Sequence, residues 1–379
     1  MKTVSIMTRI VILIALIACS KNETFTILEK DNIKIYSNNG IPSNPEIEYK
    51  LKEVLYINFN SEDGNSDFEI KYPVDFEIDN DGNIYVLDIL SSKVEKFNKN
   101  GKYITSISNR GSGPGESIYP NGIILDKDSL LILNSRKRAI LNFDLKGNYR
   151  HEMKYDNRLP SGMEQIGNNY LGMIDENIGG DSPSRSFKLT ICNNTLDTLK
   201  TIYNYNIDLN NSDFYNNFLD IFPPYCASDS LIYVSGNSSN EYKIDVYDFH
   251  GNKKSVISKN YRKHPISDNE KMHIIKEINL KEPLVTDIPN KFKKAINYII
   301  IEERGAVWVM TPDLTSEKDI NHIKIDIFKN GIYQNSFYST ELEYHLSYSD
   351  NLFYKIKNGY LYQMSNKDGN LKVFEIIKK

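Results

Sequence analysis

A motif that returns at a fixed interval constrains this chain more than any other feature, because self-similarity at a pitch of roughly 20–50 residues implies stacked or radial repeats. The clearest unit runs from Tyr72 to Tyr103. Tyr72-Pro73-Val74-Asp75-Phe76-Glu77-Ile78-Asp79 alternates as a strand does, and Asn80-Asp81-Gly82-Asn83 supplies a hairpin turn whose Asp-Gly accepts positive φ. Ile84 to Asp88 returns as a second strand. Val94 to Phe97 forms a third, which turns through Asn98-Lys99-Asn100-Gly101 into a fourth beginning near Tyr103. The same order recurs 46 residues on: Asp88 corresponds to Asn134, Phe97 to Phe143 and Gly101 to Gly147. Weaker copies follow at Tyr170 to Leu199, Leu231 to Lys253, Ala306 to Gly331 and Tyr360 to Ile376.

Four short strands with tight turns make one small antiparallel sheet, and radial repetition of such sheets is how a β-propeller buries their faces and protects their edges. The length from Tyr72 onward, less one insertion between Gly251 and Gly331, divides by the pitch into about six, with seven at the outside. The fold class is therefore all-β, a six-bladed β-propeller of four-stranded antiparallel blades. A further strand at Lys52 to Asn60 precedes the first clear unit and is expected to complete the last one, closing the ring.

Short helical insertions are expected between blades. Ser267 followed by Glu270 is a capping box, with Ile274, Ile275 and Ile278 on one helical face. A second candidate starts at Ser212, with Phe214, Tyr215 and Phe218 as its apolar side.

Composition agrees with strands and excludes one class of partner. Tyr 26 and Phe 16 against Trp 1 and Gly 20 favour pleated, half-buried surfaces. A net charge of −4, with no Lys/Arg stripe, leaves no electrostatic footprint for nucleic acid.

The N-terminus reads as an address. Lys2 and Arg9 precede an apolar run, Ile10 to Ile17, too short to span a bilayer and in proportion for a secretory signal. Leu16-Ile17-Ala18-Cys19 resembles the bacterial lipobox, which implies cleavage before Cys19 and acylation of that residue, so that the membrane is a partner through an N-terminal acyl anchor. Ser20-Lys21-Asn22-Glu23 is similar to the acidic export tag of Bacteroidetes surface lipoproteins. The expected division is 1–18 signal peptide, 19–46 lipidated Cys and polar tether, and 47–379 propeller. The expected location is the outer membrane, surface-exposed, with the periplasmic face as the alternative. Cys192 and Cys226 are then the remaining thiols, expected as two separate half-buried side chains rather than a pair.

The block Tyr72 to Ile107, followed by Arg110-Gly111-Ser112-Gly113-Pro114-Gly115-Glu116, resembles the six-bladed β-propeller lipoproteins of Bacteroidetes, relatives of NHL-like and TolB-like propellers. The resemblance rests on three elements in order: the Asp-x-Asp-Gly-Asn hairpin, the aromatic-x-x-x-Gly turn and the Gly-x-Gly-Pro-Gly-Glu loop. It implies an exported propeller without an assigned chemistry.

No catalytic residue is expected. A glycine-rich phosphate loop needs a helix N-terminus after it, whereas Ser117-Ile118-Tyr119-Pro120 leads to a strand, so Gly111 to Glu116 reads as a blade-to-blade crossing. Asp79-x-Asp81-x-Asn83 has calcium-like alternation, but its Gly stands at the fourth place rather than the EF-hand's sixth. His151, His250, His264, His273, His322 and His345 show no metal-ligand spacing, and no cofactor or metal is expected. Loops that rim the channel mouths are where concave sites form. The binding candidates are therefore Arg110 and Glu116 beside the glycine loop, Arg136 and Arg138 in the one dense basic cluster, and Asp75 on an inner strand. Tyr119, Tyr155 and Tyr225 are candidates for stacking on sugar rings.

The sequence points first to a binding or scaffold module for a peptide, glycan or partner protein at one mouth of the propeller. A carboxylate- or metal-dependent enzyme acting in the channel, and a structural subunit of an outer-membrane complex, are the alternatives.

Overall fold

A short polar side chain at each tight turn gives the repeat its pitch. Asp79, Asn98, Asp144, Asn193 and Asp248 each accept two backbone N–H groups, at the second and fourth residues beyond them, over 2.8 to 3.0 Å. The residue between those two donors must turn left-handed, and four of the five places hold glycine: Gly82, Gly101, Gly147 and Gly251.

The computed structural model describes residues 23–59, 68–157, 159–179, 184–208, 222–228, 230–279, 291–312, 323–343 and 352–379. The chain opens with β1 (Phe25–Lys30), β2 (Ile33–Asn38) and β3 (Tyr49–Asn58). Blade one is β4 to β7 (Pro73–Ile78, Ile84–Asp88, Lys93–Phe97, Tyr103–Ile107). The pair β8 (Asn109–Arg110) and β9 (Glu116–Ser117) then leads to blade two, β10 to β13 (Gly122–Asp126, Ser129–Asn134, Ala139–Asp144, Tyr149–Lys154). Blade three is β14 to β17 (Ser161–Ile166, Asn169–Ile178, Ser184–Cys192, Thr198–Asp208), and blade four is built on β18 to β21 (Tyr225–Ala227, Leu231–Ser235, Tyr242–Asp248, Lys253–Lys259). After helix α1 (Asp268–Asn279) come blade five, β22 to β25 (Tyr298–Ile301, Ala306–Thr311, Ile323–Lys329, Ile332–Ser339), and blade six, β26 to β28 (Leu352–Lys357, Tyr360–Ser365, Asn370–Lys378).

The inner strands touch in a closed circuit, β4–β10–β14–β18–β22–β26 and back to β4. β3 pairs antiparallel with β28 as the outer strand of blade six, so the first and last parts of the propeller close one sheet together, as expected for Lys52 to Asn60. Between blades the sheet faces meet in apolar layers. Tyr85, Leu87 and Ile107 of blade one pack on Ile123, Leu130 and Phe143 of blade two, and Trp308 of blade five lies fully buried toward blade six. Each buried side chain of this size contributes about 1.5–3 kcal/mol.

One expectation is overturned. Residues 25–38, assigned to the 19–46 tether, form an ordered hairpin, and the folded unit starts there rather than at 47. β2 adds in parallel to β21 and β1 pairs outside it, which makes blade four six-stranded. The cause is local. Asp31 and Asn32 both adopt positive φ, as a two-residue hairpin turn demands, and half-buried Ile33 and Ile35 flank exposed Lys34 at strand spacing. Asn38 then fastens the addition to two blades: its amide donates to the carbonyls of Ser258 (3.0 Å) and Gly331 (3.1 Å), and its oxygen accepts the Tyr333 N–H (2.8 Å).

Helix α1 follows its capping box. Ser267 Oγ accepts the Glu270 N–H (3.3 Å) while the Glu270 carboxylate accepts the Ser267 N–H (2.8 Å), and Ile274 is buried beneath. The side chain of Ile278, the candidate helix at Ser212 and the N-terminal address with Cys19 lie outside the described residues. Among the described residues no helix is long and apolar enough to cross a membrane. Cys192 and Cys226 are both buried and unpaired.

Candidate functional site

Connections between blades and the middle turn of each blade emerge at the same end of the ring, and that end gathers the basic candidates. The glycine loop is pinched at its base by β8 and β9, which pair in parallel. Glu116 folds back inside it: Oε2 accepts the Gly113 N–H at 2.7 Å. A Cβ placed on Gly111 would stand 2.0 Å from that oxygen, so glycine there makes room for the loop's own carboxylate. The anion this loop holds is therefore internal, and Glu116 serves as a closure for the loop. Lys137 stitches the middle turn of blade two onto it, donating to the Glu116 carbonyl at 2.9 Å.

Arg110 and Arg136, by contrast, converge on one side chain. Arg110 donates to the Tyr119 hydroxyl at 2.9 Å with its guanidinium 4.9 Å from the ring centre, and the Arg136 guanidinium lies 5.7 Å from the same ring. Tyr119 is 37% exposed and held at φ +51°, an uncommon conformation for a bulky residue, by the N–H it donates to Ser92 Oγ at 3.2 Å. Two cations over an exposed aromatic ring are stabilised by its quadrupole, and both guanidiniums lie at the surface. Arg138 is set apart, donating to the Asp156 carbonyl at 2.9 Å. Tyr155 and Tyr225, expected as stacking surfaces, are half-buried and donate to the carbonyls of Asn194 (3.4 Å) and Gly162 (2.9 Å).

The inner strands bring a second group together. Lys355 of β26 donates to Glu77 of β4 at 2.7 Å and lies 3.9 Å from Asp75. Glu164 of β14 belongs to the same electrostatic cluster. Asp75 keeps 21% side-chain exposure within the channel, yet burial pushes its carboxyl up to about 6, the Lys355 charge opposing and Glu77 adding. Glu164 is pushed up to about 7, again chiefly by burial and against Lys355. Burial alone would depress Lys355, but the combined pull of Glu77, Asp75 and Glu164 leaves it above its ordinary value.

What these acids do first is structural. Inner strands present an unpaired edge to the channel. Asp75 accepts the Ile123 N–H of blade two at 2.9 Å, Glu164 accepts the Ala227 N–H of blade four at 2.8 Å, and the Tyr298 hydroxyl accepts the Tyr354 N–H of blade six at 3.4 Å. Blades one, three and five thus each cap the inner strand of the next. Glu77, Glu164 and Lys355 escape sequence reasoning; their only signal is a charge within an otherwise apolar inner strand. Among the described residues no group of three or more His, Cys, Asp or Glu is placed to hold a metal, and both Asp79 oxygens of the calcium-like hairpin are occupied by Asp81, Asn83 and Tyr85.

With that geometry in view, residues 29–217 match the model of a family described as a 6-bladed beta-propeller. A Bacteroides fragilis protein described as exported is 14% identical over 91% of this chain and 99% of its own, with a TM-score of 0.52, a likeness that shows the common fold. A member of a family of unknown function from Bacteroides vulgatus is 11% identical over 88% of this chain and 99% of its own, with a TM-score of 0.49. Virginiamycin B lyase from Staphylococcus aureus is 12% identical over 87% and 100%, with a TM-score of 0.45. No curated protein matches the sequence.

Proposed function

We propose that this six-bladed propeller is an exported lipoprotein, anchored at the outer membrane through Cys19, that binds a carboxylate-bearing peptide, glycan or partner protein at the mouth framed by its inter-blade loops. The observation that carries the reading is the Tyr119 clamp: an exposed ring in a left-handed conformation, flanked by the guanidiniums of Arg110 and Arg136. Guanidinium forks match carboxylates in pairs of hydrogen bonds, and the ring supplies a stacking face between them. Screening the purified chain against arrays of acidic glycans and peptides tests this. Arg110→Ala with Arg136→Ala should abolish the strongest signal, and Arg138→Ala should leave it. A signal unchanged by the double variant refutes the site. Separately, Cys19→Ala should move the protein from the membrane to the soluble fraction, and unchanged membrane retention refutes the anchor.

A second reading, hydrolysis by channel carboxylates, is favoured by one observation: Asp75 and Glu164 titrate near neutrality, at about 6 and 7, so one could donate a proton while the other accepts. It requires that turnover of a glycan or peptide disappear in both Asp75→Asn and Glu164→Gln.

A further inference from the structure

The N-terminal hairpin carries blade four two strands beyond its neighbours, and its last strand ends the sheet: among the described residues β1 pairs only with β2. The edge is straight. Phe25 to Lys30 pair with Asn38 to Ile33 in unbroken register, with no bulge and no proline. Ile27 and Leu28, at its middle, point to opposite faces of the sheet and are 49% and 59% exposed. Its charges, Glu29 and Lys30, stand together at the turn end. Natural edges are blunted by proline, bulges or central charges, and a straight edge with an apolar middle is a template for another strand.

The backbone states which residues would pair. Opposite residues in an antiparallel ladder alternate between pairs that exchange both hydrogen bonds and pairs that exchange none. The Asn39 N–H donates to the Thr24 carbonyl at 3.0 Å, so Thr24, Thr26, Leu28 and Lys30 turn their backbone groups toward β2. Asn38, opposite Phe25, shows the same alternation: its carbonyl accepts the Asn260 N–H at 2.9 Å, on the side away from β1. Phe25, Ile27 and Glu29 therefore present their N–H and C=O groups to the open edge. A two-fold axis perpendicular to the sheet keeps equivalent faces of two copies on one side, so odd residues meet odd and even meet even. Centring the axis on Ile27 sets Ile27 against its own copy and Phe25 against Glu29, which engages every outward-facing residue of β1. Between them Thr26 meets Leu28 and Thr24 meets Lys30, and no like charges are opposed. The neighbouring registers are worse. Centring on Thr26 opposes Glu23 to Glu29, and centring on Leu28 opposes Ile27 to Glu29 and leaves Phe25 against Asp31 of the turn.

We propose that two copies of this chain join edge to edge through β1, antiparallel about a two-fold axis at Ile27, so that their fourth blades form one continuous sheet. The occupant is a second copy because β1 is complementary to itself: one register satisfies its outward amides, joins its apolar middle to the same residues of the other copy and sets each charged residue against an uncharged one. This interface is separate from the Tyr119 clamp and does not depend on the anchor.

Sedimentation of residues 20–379, which keep every described residue and leave out Cys19, tests it. The chain should pass from monomer to dimer between about 1 and 100 μM, the range of a small interface. Ile27→Lys opposes two like charges at the axis and should weaken the dimer by about tenfold or more, with the unfolding midpoint at the wild-type value. Leu28→Lys, at a more exposed position that faces Thr26 instead of itself, should cost less. Cross-linking reads the register, since Cys192 and Cys226 are buried. On oxidation Ile27→Cys should form a disulfide dimer by itself, and Thr26→Cys only when mixed with Leu28→Cys. A chain that stays monomeric through about 100 μM, a dimer that survives Ile27→Lys, or Thr26→Cys cross-linking to itself would each overturn the proposal.

Discussion

Replacing Glu164 by Gln should stabilise this protein, by an amount that grows as pH rises from about 4.5 to about 7 and then levels off. Burial holds the Glu164 carboxyl at about 7 in the fold, against an ordinary value of 4.5. The folded chain therefore retains a proton that the unfolded chain has released. The sign follows from that excess: the contribution is fully present below about pH 4.5, is lost as pH rises, and is gone once the pH passes about 7. Each pKa unit corresponds to about 1.4 kcal/mol, so the loss across the window is about 3 kcal/mol. Glutamine keeps a carbonyl oxygen for the Ala227 N–H, which Glu164 accepts at 2.8 Å, and carries no charge to bury. Wild type and Glu164→Gln should thus match at pH 4.5 and diverge by about 3 kcal/mol at pH 8, the variant being the more stable. Trp308 makes the assay direct: it is the single Trp and fully buried between blades, so its fluorescence reports unfolding in urea. A stability difference that does not change between pH 4.5 and 8, or a variant weaker at pH 8, would show that Lys355 fully satisfies the ionised carboxylate and would refute the reasoning.

Gly331→Ala should destabilise by about 1–2 kcal/mol or more in the same urea assay, because φ is +80° and the new Cβ would stand 2.6 Å from the Tyr36 ring; adding Tyr36→Ala should recover the steric part but not the conformational part. Lys259→Met leaves Asp326 buried without its cation and should cost about 3–5 kcal/mol, whereas Lys259→Met with Asp326→Leu should recover most of that loss.

Those features differ in how far they could be read from the residues alone, and the difference is one of sequence distance. The turns at Asp79, Asn98, Asp144 and Asp248 are closed by donors within four residues, so the pitch and the blade count are written locally. The β1–β2 hairpin had a local signal as well, in Asp31-Asn32, but its reason to be ordered is β21, with Lys34 facing Ser255 across a parallel pair. A polar segment whose partner lies that far along the chain reads as a tether.

The same rule sorts the site. Arg110 and Tyr119 are nine residues apart, and their convergence with Arg136 needs only neighbouring blades. Glu116 was also adjacent, yet adjacency was misleading there, because its carboxylate closes on the Gly113 N–H one turn away instead of facing outward. Asp75, Glu164 and Lys355 come from blades one, three and six, and only closure of the ring sets their distances. Closure also assigns the acids a task before any ligand arrives. A propeller's inner strands leave amides facing a channel, and side chains long enough to reach the next blade must accept them. Carboxylates placed for that purpose are buried by the fold they complete, so their raised pKa values follow from the architecture itself. The Tyr119 clamp has no such explanation: no inner strand needs it, Tyr119 is left in a costly conformation, and both guanidiniums remain at the surface. That contrast is why we propose binding at the rim rather than chemistry in the channel.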